Sequence, residues 1–423
     1  MDKNLYCNHF YKDFLKTTKE FETFNAQSIP LCAAENIMSA FAKKPLISDA
    51  QEKYVMGGIL GYCQDDNFIG GEKIYPFYQI VQKQCKKLFD ASYVDSRTLT
   101  GMNSITTLLM SITKVGDTIA ISNPECGGHA SIPDICHRLG LNIIDLPYNY
   151  EKLDFDYESI NDLLLHKELS AVLICISDIV NIPNLSLINN PNDIPIIYDA
   201  TQTLGLIAGK VVANPLYEKL NFSNFILMGA THKTLPGPSC SLIMTNNMKL
   251  ANQFEHKINP TYIRNTQMHH VMSLIHTLLE VECFGEEYAK LTVTNAKMLG
   301  QLLFERGINV LNKENDFTST HQLFIHCDEK RMKQFYENCS YYNITLNFKT
   351  KKLFGYSGIR IGTQAISRFN WKFEEIVMLS EILNILYNTP QVYNDTEKDE
   401  TIRNLINILQ NKKDVHFTFH DQK

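Results

Sequence analysis

Thr231-His232-Lys233-Thr234-Leu235-Pro236-Gly237-Pro238 is the stretch on which the reading of this chain turns. It follows an apolar run that ends in a carboxylate, Ile194-Pro195-Ile196-Ile197-Tyr198-Asp199. A lysine flanked by a histidine and hydroxyls, just after a buried strand, can hold an aldehyde cofactor as an imine. A carboxylate closing a neighbouring strand can keep a pyridine ring protonated. Together these features point to pyridoxal 5'-phosphate (PLP), a cofactor that serves as electron sink while the protein supplies orientation. Taken alone, Lys233 reads as a surface lysine in a loop and Asp199 as a strand-end cap. Their pairing is what favours the chemical reading.

The rest of the chain suits a soluble enzyme. With 423 residues it can bury a large core and divide into at least two domains. Its apolar fraction of 44% and charged fraction of 20% are ordinary for a globular protein. The net charge of -6 recommends no nucleic-acid partner. The 11 cysteines are odd in number, form no Cys-x-x-Cys pair, and include Cys32, Cys85, Cys175 and Cys240 within apolar runs. That pattern predicts reduced, buried thiols in a cytoplasmic protein. Histidines are scattered, His269 and His270 are adjacent, and no zinc spacing appears, so no metal site is expected. Near the N-terminus Tyr6, Phe10, Tyr11 and Phe14 mix with charges of both signs, which predicts no signal peptide. No apolar run approaches a membrane span, so no membrane partner is expected.

Apolar residues Ile74, Phe77, Tyr78, Val81, Cys85 and Leu88 predict a helix over 72–90. A second helix is expected from Ser104 to Thr113. Strands are expected at 118–122, 142–146, 171–177, 194–199, 225–228 and 241–244, most separated by helical or loop segments. Short buried strands alternating with helices predict an α/β fold with a mostly parallel central sheet, covered on both faces. Residues 267–305 read as helical, with an interruption at Gly285. Beyond Gly307, strands at 321–327, 344–348 and 358–362 interleave with helices at 329–338 and 372–387, a smaller α+β C-terminal domain. A terminal helix is expected over 402–409. The expected divisions are an N-terminal arm (1–30), a large cofactor-binding domain (31–285) and a small domain with its extra helix (286–423).

Several segments in fixed order carry a resemblance: Ala33-Ala34-Glu35-Asn36, Gly70-Gly71, Gly127-Gly128-His129, Asp199 followed by Gly205-Leu206-Ile207-Ala208, Thr231-His232-Lys233-Thr234-Leu235 with Gly237-Pro238, and Gly358-Ile359-Arg360-Ile361-Gly362-Thr363. From Leu31 to Arg368 the chain resembles the serine hydroxymethyltransferase family of PLP enzymes, which have the aspartate-aminotransferase fold (fold type I). The resemblance implies that Lys233 forms the imine with the cofactor and that Asp199 pairs with the pyridine nitrogen. It implies that His129 stacks on the ring, that Ser177 lies near the ring hydroxyl, and that His232 sits by the reacting centre. Arg360 matches the arginine that grips the substrate carboxylate, a task suited to a planar guanidinium. Thr100-Gly101-Met102-Asn103 opens a helix, whose free N–H groups and dipole suit the cofactor phosphate. Glu35 and Tyr54 are candidate substrate residues. The family is homodimeric with active sites shared between subunits, which makes Arg264 a candidate for charge on the partner's cofactor phosphate.

The chain also departs from the family pattern. Gln202 stands in place of a histidine and can bind the cofactor but cannot titrate. Ala34 and Ser239 replace a serine and an arginine. The family's Tyr-x-Glu pair falls at Tyr54 and Met56, and methionine does no acid–base work. Tyr62, Asp65 and Asp66, in a longer segment before Gly70, could replace the missing acid. Phe68-Ile69 replaces a tyrosine pair, and Asn265-Thr266 a glycine pair. These changes spare the PLP residues and fall where folate would sit.

The first expectation is therefore an enzyme that makes or breaks the Cα–Cβ bond of a β-hydroxy amino acid (serine, threonine or glycine), an aldolase or transaldolase working without folate on amino-acid and aldehyde substrates. The alternatives are tetrahydrofolate-dependent hydroxymethyl transfer, and decarboxylation or oxidation at Cα, since geometry at the ring decides which bond breaks. A non-catalytic interaction protein on the same fold is the alternative of another class. Intact Lys233, Asp199 and Arg360 argue against it.

Overall fold

Apolar segments too short to bury themselves singly join in one seven-stranded sheet. The strands are β1 (Tyr93–Asp95), β2 (Thr118–Ile121), β3 (Asn142–Asp145), β4 (Ala171–Cys175), β5 (Ile196–Asp199), β6 (Phe225–Ala230) and β7 (Ser241–Thr245). The computed structural model describes residues 3–57, 59–60, 68–218 and 220–420, with side chains from residue 9 onward. Tyr62, Asp65 and Asp66 lie outside the described residues. Spatial order is β1-β7-β6-β5-β4-β2-β3. Neighbours from β3 to β6 run parallel, and β7 is antiparallel to both β6 and β1. The mostly parallel sheet is thus as expected. Strands β4 to β7 are buried along their whole length, which explains their continuous apolar runs. Strand β1 was not expected, because three residues carry no readable period.

Helices cover the sheet. After an N-terminal helix, α1 (Lys3–Gln27), they include α2 (Gly71–Phe89), α3 (Gly101–Ile112), the short α4 (Leu204–Ala208) and α5 (Met268–Glu305). The 25-residue α1 was not expected; its described side chains are almost all exposed, including Phe10, Tyr11, Phe14 and Phe21. α5 runs unbroken for 38 residues, through the interruption expected at Gly285 and through the expected domain boundary. The reason is packing. A Cβ at Gly209 would lie 2.5 Å from the Gly285 carbonyl oxygen and 2.4 Å from the Ala289 Cβ, so the glycines let two segments touch. A glycine inside a helix costs about 1 kcal/mol, which close packing can offset.

The C-terminal part holds a three-stranded antiparallel sheet of β8 (Gln322–His326), β9 (Asn347–Lys349) and β10 (Gly358–Gly362), with β10 central. Helices α6 (Glu329–Tyr341), α7 (Phe373–Asn388) and α8 (Thr396–Gln410) pack around it. The strand expected at 344–348 is split. Ile344–Thr345 pairs instead with Ile29–Pro30, which ties the N-terminal arm to this part of the molecule. α5 serves both cores: Leu274 and Leu278 pack with the large sheet, Leu299 and Leu303 with the small one. Residues near the C-terminus fold back over it. The His416 N–H donates to the Arg368 carbonyl at 2.7 Å, and Arg368 Nη1 donates to the Phe417 carbonyl at 3.1 Å. The described cysteines are free thiols, all buried except Cys283. Among the described residues no helix is long and apolar enough to cross a membrane.

Parallel strands all point the same way, so their carboxyl ends form one edge, where α/β proteins bind ligands. Ser177 lies just past β4, Asp199 ends β5, and Lys233 lies just past β6. α4 braces this edge. A Cβ at Gly205 would lie 2.2 Å from the Thr234 carbonyl oxygen, beside Lys233. Gly205→Ala should therefore lower folding stability by about 1–3 kcal/mol in a denaturant titration. It should also weaken retention of the cofactor. An unchanged midpoint would show that α4 does not press on the Lys233 segment.

Candidate active site

The residues expected to hold the cofactor come together. Thr100, Gly101, Met102, His129, Ser177, Asp199, Gln202, His232 and Lys233 line a single cavity of about 160 Å³, with Ile176, Thr201 and Ala230. Lys233 is positioned through its backbone. The Thr231 hydroxyl donates to the Pro238 carbonyl at 2.6 Å, and the Thr234 hydroxyl donates to the Gln202 carbonyl at 3.0 Å. The Asn36 amide donates to the Lys233 carbonyl and to the Tyr288 hydroxyl, and that hydroxyl donates to the Gln364 carbonyl. Asn36 belongs to a quoted motif, but its task of pinning the lysine was not legible in sequence. Burial pushes the Lys233 amine below the ordinary lysine range; Asp199 opposes this, and Arg360 adds to it. The physical result is an amine more readily neutral, and hence more nucleophilic, than an exposed lysine.

Asp199 is 8% exposed. One carboxylate oxygen accepts the Thr201 N–H at 2.8 Å and the other accepts the Cys175 thiol at 3.1 Å. Burial, reinforced by Asp199, pushes the Cys175 thiol well up, so it stays protonated and donates. An ionised carboxylate has about four acceptor sites, which leaves room for a cationic ring N–H as well.

His129 follows the Gly127-Gly128 turn, and its N–H bonds the Cys175 carbonyl at 3.1 Å. The Ser131 N–H donates to His129 Nδ1 at 3.2 Å, which assigns the proton of the neutral ring to Nε2. Burial lowers the pKa of both His129 and His232. His232 Nδ1 is buried with no protein partner. At the other end of the cavity Thr100 caps α3, accepting the Asn103 N–H at 3.2 Å. The N–H groups of Gly101 and Met102 lie in the first turn, where a helix offers no internal acceptor. That end is built for an anion. A nucleophilic amine, a carboxylate, an imidazole with an unpartnered nitrogen and a helix end around one cavity fit PLP.

Other expected residues are placed differently. Arg360, on β10, is 4% exposed and does not line the cavity. Its Nη1 donates to the Ser177 carbonyl at 2.9 Å and to Asp178 Oδ1 at 2.8 Å, and its Nη2 donates to Asn347 Oδ1 at 3.0 Å. Gln202 accepts from Gln322 Nε2 at 3.0 Å, a partner not foreseen. Tyr54 is 42% exposed and stacks on Phe68 with ring centres 4.7 Å apart. Glu35 and Arg264 are exposed. Within one chain, Tyr54, Glu35 and Arg264 do not line the cavity. Asp178 was missed altogether: it directly follows Ser177, and nothing in sequence marks it as 1% exposed and surrounded by cations.

A family model described as serine hydroxymethyltransferase matches residues 9–383. The chain belongs to the serine hydroxymethyltransferase family. It is similar to the serine hydroxymethyltransferase of Archaeoglobus fulgidus, 27% identical over 417 residues, covering 93% of this chain and 91% of that protein. The serine hydroxymethyltransferase of Methanothermobacter marburgensis is 30% identical over 387 residues, covering 86% of this chain and 87% of that protein. In fold the chain resembles the L-threonine transaldolase of Pseudomonas fluorescens, solved in its internal aldimine state. That match has a TM-score of 0.88 and 23% identity, covering 99% of this chain and 96% of the other. As a member of the serine hydroxymethyltransferase family this protein is a fold type I enzyme that uses PLP, and its chemistry lies at the Cα–Cβ bond of amino acids.

The lowered Lys233 pKa makes a measurable claim. In apoprotein, imine formation with added PLP should rise with pH along a curve whose midpoint lies below the ordinary lysine value of 10.5. Absorbance stopped-flow across pH checks this, with Lys233→Ala as the blank. A midpoint at or above that value would show that the amine is not desolvated.

Proposed function

We propose that the protein cleaves and forms the Cα–Cβ bond of a β-hydroxy amino acid as an aldolase or transaldolase, without folate. The observation that carries this reading is the residue at position 56, a methionine, which does no acid–base work. Asp199 is the one carboxylate among the described lining residues, and both its oxygens already accept hydrogen bonds. Met56 stands where the resemblance places a glutamate.

Bound PLP supplies the electron sink for negative charge at the substrate α-carbon. Lys233 would hold its aldehyde carbon, and Asp199 would keep the ring nitrogen protonated. His129, Ser177 and Gln202 would hold the ring, and the N-terminus of α3 with Thr100 would take its phosphate. Arg360, whose Nε has no protein partner, would meet the substrate α-carboxylate. His232, neutral near pH 7 because burial lowers its pKa, takes the β-hydroxyl proton on Nδ1. The bond's electron pair stays with the α-carbon, the β-carbon leaves as an aldehyde, and a proton returned to the α-carbon gives glycine. Atoms and charge balance without an added oxidant.

Tetrahydrofolate-dependent hydroxymethyl transfer is the second reading. It is favoured by the family match and by the activity that its relatives' names print. On either reading we propose a cytoplasmic homodimer, consistent with the buried free thiols and the exposed aromatic face of α1. In that dimer Arg264 and Tyr54, exposed on one chain, would complete the neighbouring site.

The folate requirement decides between the readings. Holoenzyme in heavy water should exchange the α-proton of glycine and then add glycine to an aldehyde with no folate present. Turnover that appears only on adding tetrahydrofolate would return the protein to hydroxymethyl transfer. For His232 the sign is fixed by its lowered pKa: the neutral ring is the active form. The acid limb of kcat/KM should therefore fall below pH 6.5, the ordinary histidine value. His232→Asn should lower kcat about 10²–10⁴-fold and remove that limb. A retained limb would assign the proton elsewhere.

A further inference from the structure

Asp178 is the most densely paired carboxylate beside the cavity. Arg360 Nη1, Lys349 Nζ and Lys351 Nζ each lie 2.8 Å from one of its oxygens. Lys351 Nζ also donates to the Gly128 carbonyl at 2.8 Å, the residue before His129. Arg360 reaches the carbonyl of Ser177, which lines the cavity. The cluster therefore flanks the cavity at Ser177 and next to His129. Lys349 and Lys351 are only 16% and 17% exposed as side chains.

Charge does not close within this cluster. One carboxylate meets a guanidinium and two ammonium groups, so two positive charges are left over at low exposure. Among the described residues, Glu35 is exposed and Glu125 is engaged by the Lys352 N–H at 2.8 Å. Lys352 itself is spent over the Tyr150 ring, 4.2 Å from its centre. His129 adds no charge while its ring is neutral. Arg360 Nε is buried without a partner, although its side chain is 95% covered, a donor waiting for an acceptor. Burial also pushes the Lys349 amine below its ordinary range, so its charge is costly until an anion arrives. An amino acid's α-carboxylate cancels one of the surplus charges and leaves the other.

We propose that Lys349 and Lys351, beside Arg360, form a second anion subsite and that the aldehyde partner in the reaction carries a carboxylate of its own. Asp178 then holds the two lysines in place while the site is empty, and the incoming acid shares them. The inference rests on the Cα–Cβ reaction proposed above, and it names the class of acceptor: an aldehyde acid rather than a neutral aldehyde. Lys349 ends β9 and Lys351 lies in the short stretch between β9 and β10.

The test pairs two four-carbon aldehydes, succinic semialdehyde and butanal, with glycine and holoenzyme. Wild type should favour the acid in kcat/KM, and the preference should weaken with salt. The Lys349→Met, Lys351→Met double variant should lower the acid-to-neutral ratio about tenfold, while Lys351→Arg keeps it. An unchanged ratio in the double variant overturns the proposal. Should the double variant not fold, Lys351→Gln alone must lower the ratio; no change there overturns it equally. Calorimetric titration with succinate, which cannot react, separates the two ideas. If neither aldehyde reacts but succinate binding falls when the lysines are removed, the reaction is misassigned and the subsite stands. If succinate binds wild type and double variant alike, the subsite is wrong whatever the reaction.

Discussion

One electrostatic arrangement underlies the site: an amine taken out of water opposite a carboxylate on the end of a neighbouring strand. Desolvation drives Lys233 toward its neutral form, and Asp199 pulls it back. Neither group would be tuned if the sheet did not align its strand ends. Parallel pairing places Cys175 beside Asp199 and Asp199 beside Met228, so the next residues along β4 and β6 lead straight to Ser177 and Lys233. The same pairing hands the Cys175 thiol to Asp199, a protonated donor that holds one oxygen while the other receives the Thr201 N–H.

Around that pair, rigidity comes from backbone contacts more than from side chains. Asn36 holds the Lys233 carbonyl and is tied through the Tyr288 hydroxyl to the Gln364 carbonyl, and α4 at Gly205 packs against Thr234. Asn36 comes from the N-terminal segment, Tyr288 from α5 and Gln364 from the stretch after β10. The lysine loop is therefore a meeting point of all parts of the molecule. α5 makes this possible because a single unbroken helix is packed in both hydrophobic cores. Catalytic groups held this way need little reorganisation when substrate arrives.

The substrate side is organised differently. Arg360, Asp178, Lys349 and Lys351 come from the small sheet, the end of β4 and the loop between β9 and β10. Here charge is in surplus, whereas at the cofactor it is balanced. Separating a balanced cofactor site from a positively charged rim lets one fold keep its PLP chemistry while its choice of partner changes.

The sequence by itself determined the class of the fold, the cofactor and which residues gather at the cavity. Lys233, Asp199, His129 and the Thr100 helix end were legible because each stands at or just past a strand end or opens a helix, and they line one cavity. The apolar runs of β4 to β7 were legible because strands buried on both faces have no polar positions. Three-residue β1 carries no period, and Gly285 reads as a breaker until Gly209 is seen against it. Only the tertiary structure decided which charges meet. Asp178 and Arg360 are 182 positions apart, and Asn36 and Lys233 are 197 apart. A lysine run such as 349–352 looks solvated in any sequence until folding brings a buried carboxylate against it. Long-range pairing of charges depends on chain crossings that local composition does not encode.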